Sequence, residues 1–378
     1  NTAMTDASVS DDTAPRSRRG GGRAARKAAR AAPLPENMRP VRPGMEGGWY
    51  KPLSDGDMDK IHGTAMQALE EVGLADAPES GVEILTGAGA VQGDDGRIRF
   101  PRTLVEDMVA MAARDLTLHG QDPQYDIQPG GHRVHFGTAG AAVFVYDPVT
   151  RENREPTVED LYNSARIVDQ LDNIHFFQRT LTPRDTVDPK DMDLNTLYAC
   201  VSGTTKHVGT SFTVAENAAK GLEMLHMIAG SEKAWRERPF VSNSNCFVVP
   251  PMKFATESCL VMETLIRGGM PILLLSAGQA GATAPAPLAG AVVQAVAECL
   301  AGVVYVNAMQ PGHPTIFGTW PFVSDLRTGA MSGGSPEQSL LTAACGQMAR
   351  YYNLPGGSAC AMSDSKEMDM QAGYERGM

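Results

Sequence analysis

The sequence predicts an α/β chain built on a (β/α)8-type barrel that ends after about six βα units, with helical and β-rich additions ahead of it. Three observations carry that reading. From Thr157 onward, short apolar runs alternate with amphipathic helical stretches. The runs begin at Ile174, His207, Phe240, Pro271, Pro314 and Gly357, which are 33, 33, 31, 43 and 43 residues apart. Units of that length imply parallel strands joined by right-handed crossovers. Finally, the chain stops at Met378 inside a helix-like pattern that opens at Lys366 and lacks a terminating cap. An open doubly wound sheet also meets the alternation. No GxGxxG follows the first run, which disfavours its dinucleotide-binding form. Six units and an abrupt end fit a barrel cut two units short.

Taken in order, residues 1–32 hold RSRRGGGRAARKAARAA, which is basic and almost free of large apolar side chains. They read as a disordered tail, with no apolar core of a signal peptide. Residues 33–156 read as a helical and β-rich region packed on the barrel. Within it, 54–73 form an amphipathic helix capped by Ser54 or Asp55 and ended by Gly73. Residues 97–100 read as a strand, and Pro101 starts a second helix. Residues 116–155 turn β-rich. Residues 157–378 hold the incomplete barrel, with a helix from Thr157 to about Gln170. Strands follow at 174–180, 207–211, 240–247, 271–276, 314–318 and 357–361. The helices between and after them are expected at 194–202, 215–229, 254–267, 287–308 and 336–352.

Composition narrows the function classes. With 42% hydrophobic and 20% charged residues, the chain reads as an ordinary soluble protein. A net charge of -11 argues against nucleic acid as a partner. The six cysteines are scattered without a CxxC, which reads as reduced thiols in a cytoplasmic setting. No uninterrupted apolar run reaches the length of a membrane span, so no membrane association is expected. His132 and His135 would fall on opposite faces of a strand, and no Cys/His cluster has zinc spacing, so no metal is expected.

In a barrel, chemistry collects where strands end. The candidates near those ends are His207, Asn245, Phe317, Trp320, Glu337, Met362, Asp364 and Lys366, with Phe136 from the β-rich region. No nucleophile–base–orienter trio stands among them. Each has a structural alternative. His207 can be a hydrogen-bonded core histidine. Ser335-Pro336-Glu337 is a good helix start, and Asp364 can be a cap. Lys366 can form a Schiff base only if desolvated, and otherwise sits in solvent. The aromatic faces of Phe136, Phe247, Phe317 and Trp320 can hold a quaternary ammonium, or simply pack. Glu298, inside an apolar helix, is either exposed or paired.

Several blocks resemble one family: FGTAG (136–140), TTKH (204–207), AECLAG (297–302), GSPEQSLLTAACGQMARYYNLPGG (334–357) and MSDSKEMDMQAGYERG (362–377). Together they resemble the trimethylamine:corrinoid methyltransferase superfamily, from about Gly44 to the end. The resemblance implies a TIM barrel with amino-terminal additions and a chain longer than this one. It implies methyl transfer from a methylated amine to the cobalt of a separate corrinoid protein. No cofactor would then be bound by this chain itself, and a homo-oligomer is compatible with it. In trimethylamine-specific members, pyrrolysine stands immediately before the Ser-Asp of the last block. Here that residue is Met362, so the chain resembles the non-pyrrolysine branch. A quaternary, glycine-betaine-like amine is then the expected substrate. The competing readings are a trimethylamine methyltransferase relative, a lyase-type barrel enzyme using Lys366 or Asp364, and a non-catalytic betaine-binding homologue.

Overall fold

The computed structural model describes residues 44–147, 149–186 and 188–377; the tail expected at 1–32 lies outside them. Six strands form one parallel sheet: β1 (Phe176–Gln178), β2 (His207–Thr210), β3 (Val241–Asn245), β4 (Ile272–Ser276), β5 (Thr315–Thr319) and β6 (Gly356–Gly357). Their order in the sheet is their order in the chain. A doubly wound sheet reverses its order at a switch point, and this one does not, so it is wound as the wall of a barrel.

Ahead of the wall lie α1 (Asp55–Gln67), α2 (Glu79–Gly87) and α3 (Arg102–Met111). Around it lie α4 (Val158–Asp169), α5 (Met192–Gly203), α6 (Ala215–Ala229), α7 (Glu232–Glu237), α8 (Thr256–Arg267), α9 (Leu288–Met309) and α10 (Pro336–Tyr351), and α11 (Met370–Arg376) follows β6. The capping expectation for α1 holds: Ser54 and Asp57 form a reciprocal capping box. The helix continues as a π turn and ends at Gly73, whose φ is +65°. A Cβ at Gly73 would collide with the Ile98 carbonyl, so the turn requires glycine.

Some elements differ from the sequence reading. The helix α2 was not anticipated. The region 116–155 forms only two-residue ladders, such as Val145–Tyr146 with Asn153–Arg154. The last strand stops at Gly357, because side chains replace its ladder bonds: Ser358 Oγ donates to the Thr319 carbonyl and Thr342 Oγ1 to that of Ala359. The final helix opens at Met370 rather than Lys366, because Asp369 caps it by accepting from the Ala372 N–H.

Strand alternation divides the wall between two cores. Phe177, Leu274 and Phe317 join the main core on the helix side. Phe176, Leu273 and Ile316 face the other way, into a separate cluster with Leu116, Leu118 and Ile127. The irregular region ahead of the barrel thus fills its concave side. The segment 136–142 runs parallel along the free edge of β1, with bridges from Gly137 to Phe176 and from Ala142 to Leu181. That coverage removes an exposed edge.

The long helix α9 is apolar on every face because it is enclosed by β4 and β5 on one side and by the amino-terminal helices on the other. Its 22 residues are long and apolar enough to cross a membrane, which corrects the expectation from uninterrupted runs. Gln294 and Glu298 break the run without lowering the mean much. In this fold 78% of its apolar window is buried, as in the core helix of a globular domain.

One buried cation joins several of these parts. Lys206 Nζ donates to the carbonyls of Val168, Leu171 and Ile174, each at 2.7 Å. The Val168 carbonyl belongs to the last turn of α4, where cations are favoured, Leu171 lies just past that helix, and Ile174 leads into β1. The ammonium also lies 5.5 Å from the Tyr125 ring centre. Replacing Lys206 by Met leaves three carbonyls without their donor, so the variant is expected to lose about 3 kcal/mol in urea unfolding. A loss below about 1 kcal/mol would show that water takes over the role.

Candidate active site

The carboxyl-terminal ends of the strands form the mouth. Gln178 and Ser244 face the concave side there, and Ser244 Oγ donates to Gln178 Oε1 at 3.0 Å. This bond crosses over β2 at Gly209, where a methyl group would collide with the Gln178 amide oxygen. Trp320 extends β5 by one residue, its N–H donating to the Ser276 carbonyl at 2.8 Å. The alternation that turns Ile316 inward turns Trp320 inward too. Its indole N–H is buried and has no acceptor among the described residues.

The mouth's rim is built from the two longest family-like blocks, which are in contact. Asp364 Oδ1 accepts from the Gly333 N–H at 2.7 Å and Oδ2 from Ser332 Oγ at 3.0 Å. Met362 packs over Gly333, half-buried. Glu375 on α11 reaches back to accept from the Asp364 N–H and from Ser363 Oγ, both at 2.8 Å. A hydrogen bond from Gln371 Nε2, with these from Ser363 and Asp364, holds the Glu375 carboxyl below its usual pKa. Ser335 then caps α10 by accepting from the Gln338 N–H, as its sequence predicted.

Below the mouth, Glu298 of α9 is fully buried. It accepts from the Met252 N–H at 2.8 Å, Ser276 Oγ at 2.5 Å and Gln294 Nε2 at 3.1 Å. Pairing was one of the two sequence expectations, and the partners are neutral donors rather than a cation. Burial raises its pKa.

The structure distributes the sequence candidates unevenly. Trp320, Met362 and Asp364 stand at the mouth. Glu337 and Lys366 are at the rim and exposed. Asn245 ends β3 but turns to the helix side, where its Nδ2 donates to the Ser258 carbonyl at 3.0 Å. Phe317 also faces the helix side, against Tyr352 at 5.7 Å between ring centres. Phe136 and His207 lie at the opposite end, because both flank strand beginnings: the Phe136 carbonyl accepts from the His175 N–H. Sequence reading noted that His207 opens its strand, yet strand polarity alone assigns it to the far end. Arg179, directly after β1, was not selected, although its place at a strand end was a visible signal. A cleft of about 410 Å³ opens at that far end, among Asp115, His119, Arg236 and His313, away from the mouth.

His207 is a core histidine. Its Nδ1 donates to the His119 carbonyl at 2.8 Å, so its Nε2 is the acceptor for Ser242 Oγ at 2.9 Å. Burial pulls its pKa from 6.5 down to about 4.

The sequence profile of the trimethylamine methyltransferase (MTTB) family matches residues 19–378. A trimethylamine methyltransferase from Desulfitobacterium hafniense is 32% identical over 332 residues, which is 88% of this chain and 66% of that protein. A glycine betaine methyltransferase from Desulfitobacterium hafniense strain Y51 is 30% identical over 328 residues, 86% of this chain and 67% of that protein. The monomethylamine methyltransferase structure from Methanosarcina barkeri superposes with a TM-score of 0.52 at 12% identity, over 84% of this chain and 64% of the other, so it has a similar fold. The chain belongs to the trimethylamine methyltransferase (MTTB) family. It spans about two thirds of the length of the relatives it matches.

Two outcomes follow from these contacts. Between pH 6.5 and 4 the unfolded chain takes up a proton at His207 that the folded chain refuses, so stability falls as pH drops through that window. The contribution reaches roughly 3 kcal/mol across the window, and His207→Gln should remove that much of the fall in unfolding free energy between pH 6.5 and 4. An unchanged slope would remove His207 from the acid response. Asp364→Ala should free the rim, speeding amide exchange at residues 332–334 about tenfold. Unaltered exchange there would mean that Met362 packing alone holds the rim.

Proposed function

We propose that this chain transfers a methyl group from a quaternary amine of the glycine betaine type to the Co(I) of a separate corrinoid protein. The observation that carries the reading is Met362. It matches the position that trimethylamine-specific members give to pyrrolysine, and it packs half-buried on the rim at Gly333. A thioether forms no adduct that could activate a tertiary amine. A quaternary amine needs none, because its nitrogen already carries the charge. The C–N bond breaks with its electron pair staying on nitrogen, and a neutral tertiary amine leaves. Co(I) provides the pair for the new Co–C bond.

The chain's own tasks are then to hold the cation, aim one methyl outward and exclude water. Trp320 offers an aromatic face on the concave side for a cation that has no N–H to donate. The Gln178–Ser244 pair lies on the same concave side. Similarity to a glycine betaine methyltransferase supports the substrate class, and the trimethylamine relatives support the family chemistry. Exposure of Lys366 speaks against the lyase reading, since a Schiff-base lysine must be desolvated.

The purified chain, mixed with a Co(I) corrinoid protein, should produce the methyl-Co(III) spectrum with glycine betaine about tenfold faster than with trimethylamine. No methyl-Co(III) with betaine, carnitine or choline would sink the reading.

A further inference from the structure

Past the ends of β4 and β5 the two strands stay paired, and they carry side-chain donors out into the mouth. The Trp320 N–H donates to the Ser276 carbonyl at 2.8 Å, the Phe322 N–H to that of Gly278 at 2.8 Å, and the Ser324 N–H to that of Ala280 at 3.1 Å. The register does not slip: Ser276 pairs with Thr319, Gln279 with Phe322 and Ala280 with Val323. Residues paired in a parallel ladder share a face, and the face alternates along each strand. Gln279 therefore lies beside Phe322 on the concave side that Ile316 and Trp320 occupy, diagonal to Trp320. The other edge of this ribbon joins the rim. The Ser332 N–H donates to the Val323 carbonyl at 2.8 Å, and Ser332 Oγ donates to Asp364 Oδ2 at 3.0 Å.

Trp320 Nε1, Gln279 Nε2 and Ser324 Oγ are sealed from solvent and have no partner among the described residues. The polar groups around them are paired with one another. The Gln279 N–H donates to Thr283 Oγ1 and Gln294 Nε2 to the Thr283 carbonyl, both at 2.9 Å. Both oxygens of Asp364 are occupied at the rim. An indole N–H can only donate, so the group that satisfies Trp320 is an acceptor. Diagonal neighbours in a ladder stand about 7–8 Å apart at the backbone, and side chains as long as Trp and Gln can close that gap onto the two oxygens of one carboxylate. Both donors are uncharged, which suits a ligand that carries its own countercharge; a free dianion would be buried without compensation. In a molecule of the betaine type a single methylene separates the ammonium from the carboxylate. One tryptophan can therefore serve both ends, its ring face toward the cation and its N–H edge toward the anion.

We propose that Trp320 Nε1 and Gln279 Nε2 form a carboxylate subsite that selects a zwitterionic quaternary amine, an assignment that rests on the methyl-transfer reading above. Amines without a carboxylate, such as choline, leave both donors unmet. Ser324 stands four residues beyond Trp320, about 13 Å further along the strand, and is out of reach of the same carboxylate.

Calorimetric titration of the chain with glycine betaine and with choline tests this directly. The wild type should bind betaine at least about tenfold more tightly, Gln279→Met should bring that preference below about threefold, and Gln279→Glu should reverse it by repelling the carboxylate. Equal affinities in the wild type, or a preference that stays above about threefold in Gln279→Met, would overturn the assignment. Ser324→Ala is the control and should keep the preference. A loss there equal to that in Gln279→Met would make the preference a property of the ribbon's fold and overturn the role of the donors. The indole proton of Trp320, assigned in the wild type through its backbone resonances, gives a second readout that depends on no variant. Betaine should move it downfield by about 0.5 ppm, and choline by less than about half of that. An unmoved proton, or an equal shift with choline, would overturn the assignment. An equal shift with acetate at the same concentration would assign the donors to a free small anion and overturn the substrate role. These are binding measurements, so absence of methyl transfer would refute the reaction and leave the subsite standing. Turnover of betaine by Gln279→Met at an unchanged KM would do the reverse.

Discussion

A parallel sheet has to be covered on both faces, and in this chain two different parts of the sequence do it. The helices that follow each strand cover one face. Among the described residues, the other face of the six sequentially ordered strands is covered by a part of the chain outside the βα repeat. Leu116, Leu118 and Ile127, from the irregular region ahead of the barrel, fill that concave side against Phe176, Leu273 and Ile316. The same region lays residues 136–142 along the edge of β1. It thereby protects the edge as well as the face.

This constraint explains the buried polar contacts. Where an added segment meets the wall, the backbone groups it seals from water need partners. Lys206 satisfies three carbonyls at the end of α4 and the approach to β1, next to Tyr125 of the added region. His207 joins the His119 carbonyl to Ser242 of β3. Glu298 ties α9 to the end of β4 and to the turn at Met252. In the family-like blocks TTKH and AECLAG, Lys206, His207 and Glu298 thus make buried contacts between segments. GSPEQ and MSDSKE are different. They meet at the rim, where Asp364 Oδ1 accepts from the N–H groups of Gly333 and Gly334, so two stretches that are separate in sequence form one surface.

The βα repeat was legible because its signals are local. Apolar runs, caps such as Ser54 and Ser335, and the helix stop at Gly73 need no knowledge of distant residues. The helix side of the wall was legible for the same reason. The plug was not, since Leu116, Leu118 and Ile127 lie in a stretch without sustained period, where only contact with distant strands gives each side chain a destination. Among site candidates, residues after a strand, such as Trp320, Met362 and Asp364, reached the mouth. His207 and Phe136, which flank strand beginnings, went to the other end. Asn245 and Phe317 turned to the helix side because the side-chain period of a strand is two, and sequence reading had no register to count from.

By itself, then, the sequence determined the alternation of strands and helices, the helix caps, the family, and Met362 immediately before Ser363 and Asp364. Each of these depends on residues close together in the chain. Only the tertiary structure decided which face each strand residue presents, which end of the barrel holds each polar group, and that three carbonyls converge on Lys206 while Arg179 has no side-chain hydrogen bond among the described residues. Lys206 and Arg179 differ because three carbonyls converge on the first, while Asp193, on the helix nearest the second, has Oδ2 engaged by Thr213 and Asn217. That difference is a matter of distance between segments, and no local pattern encodes it.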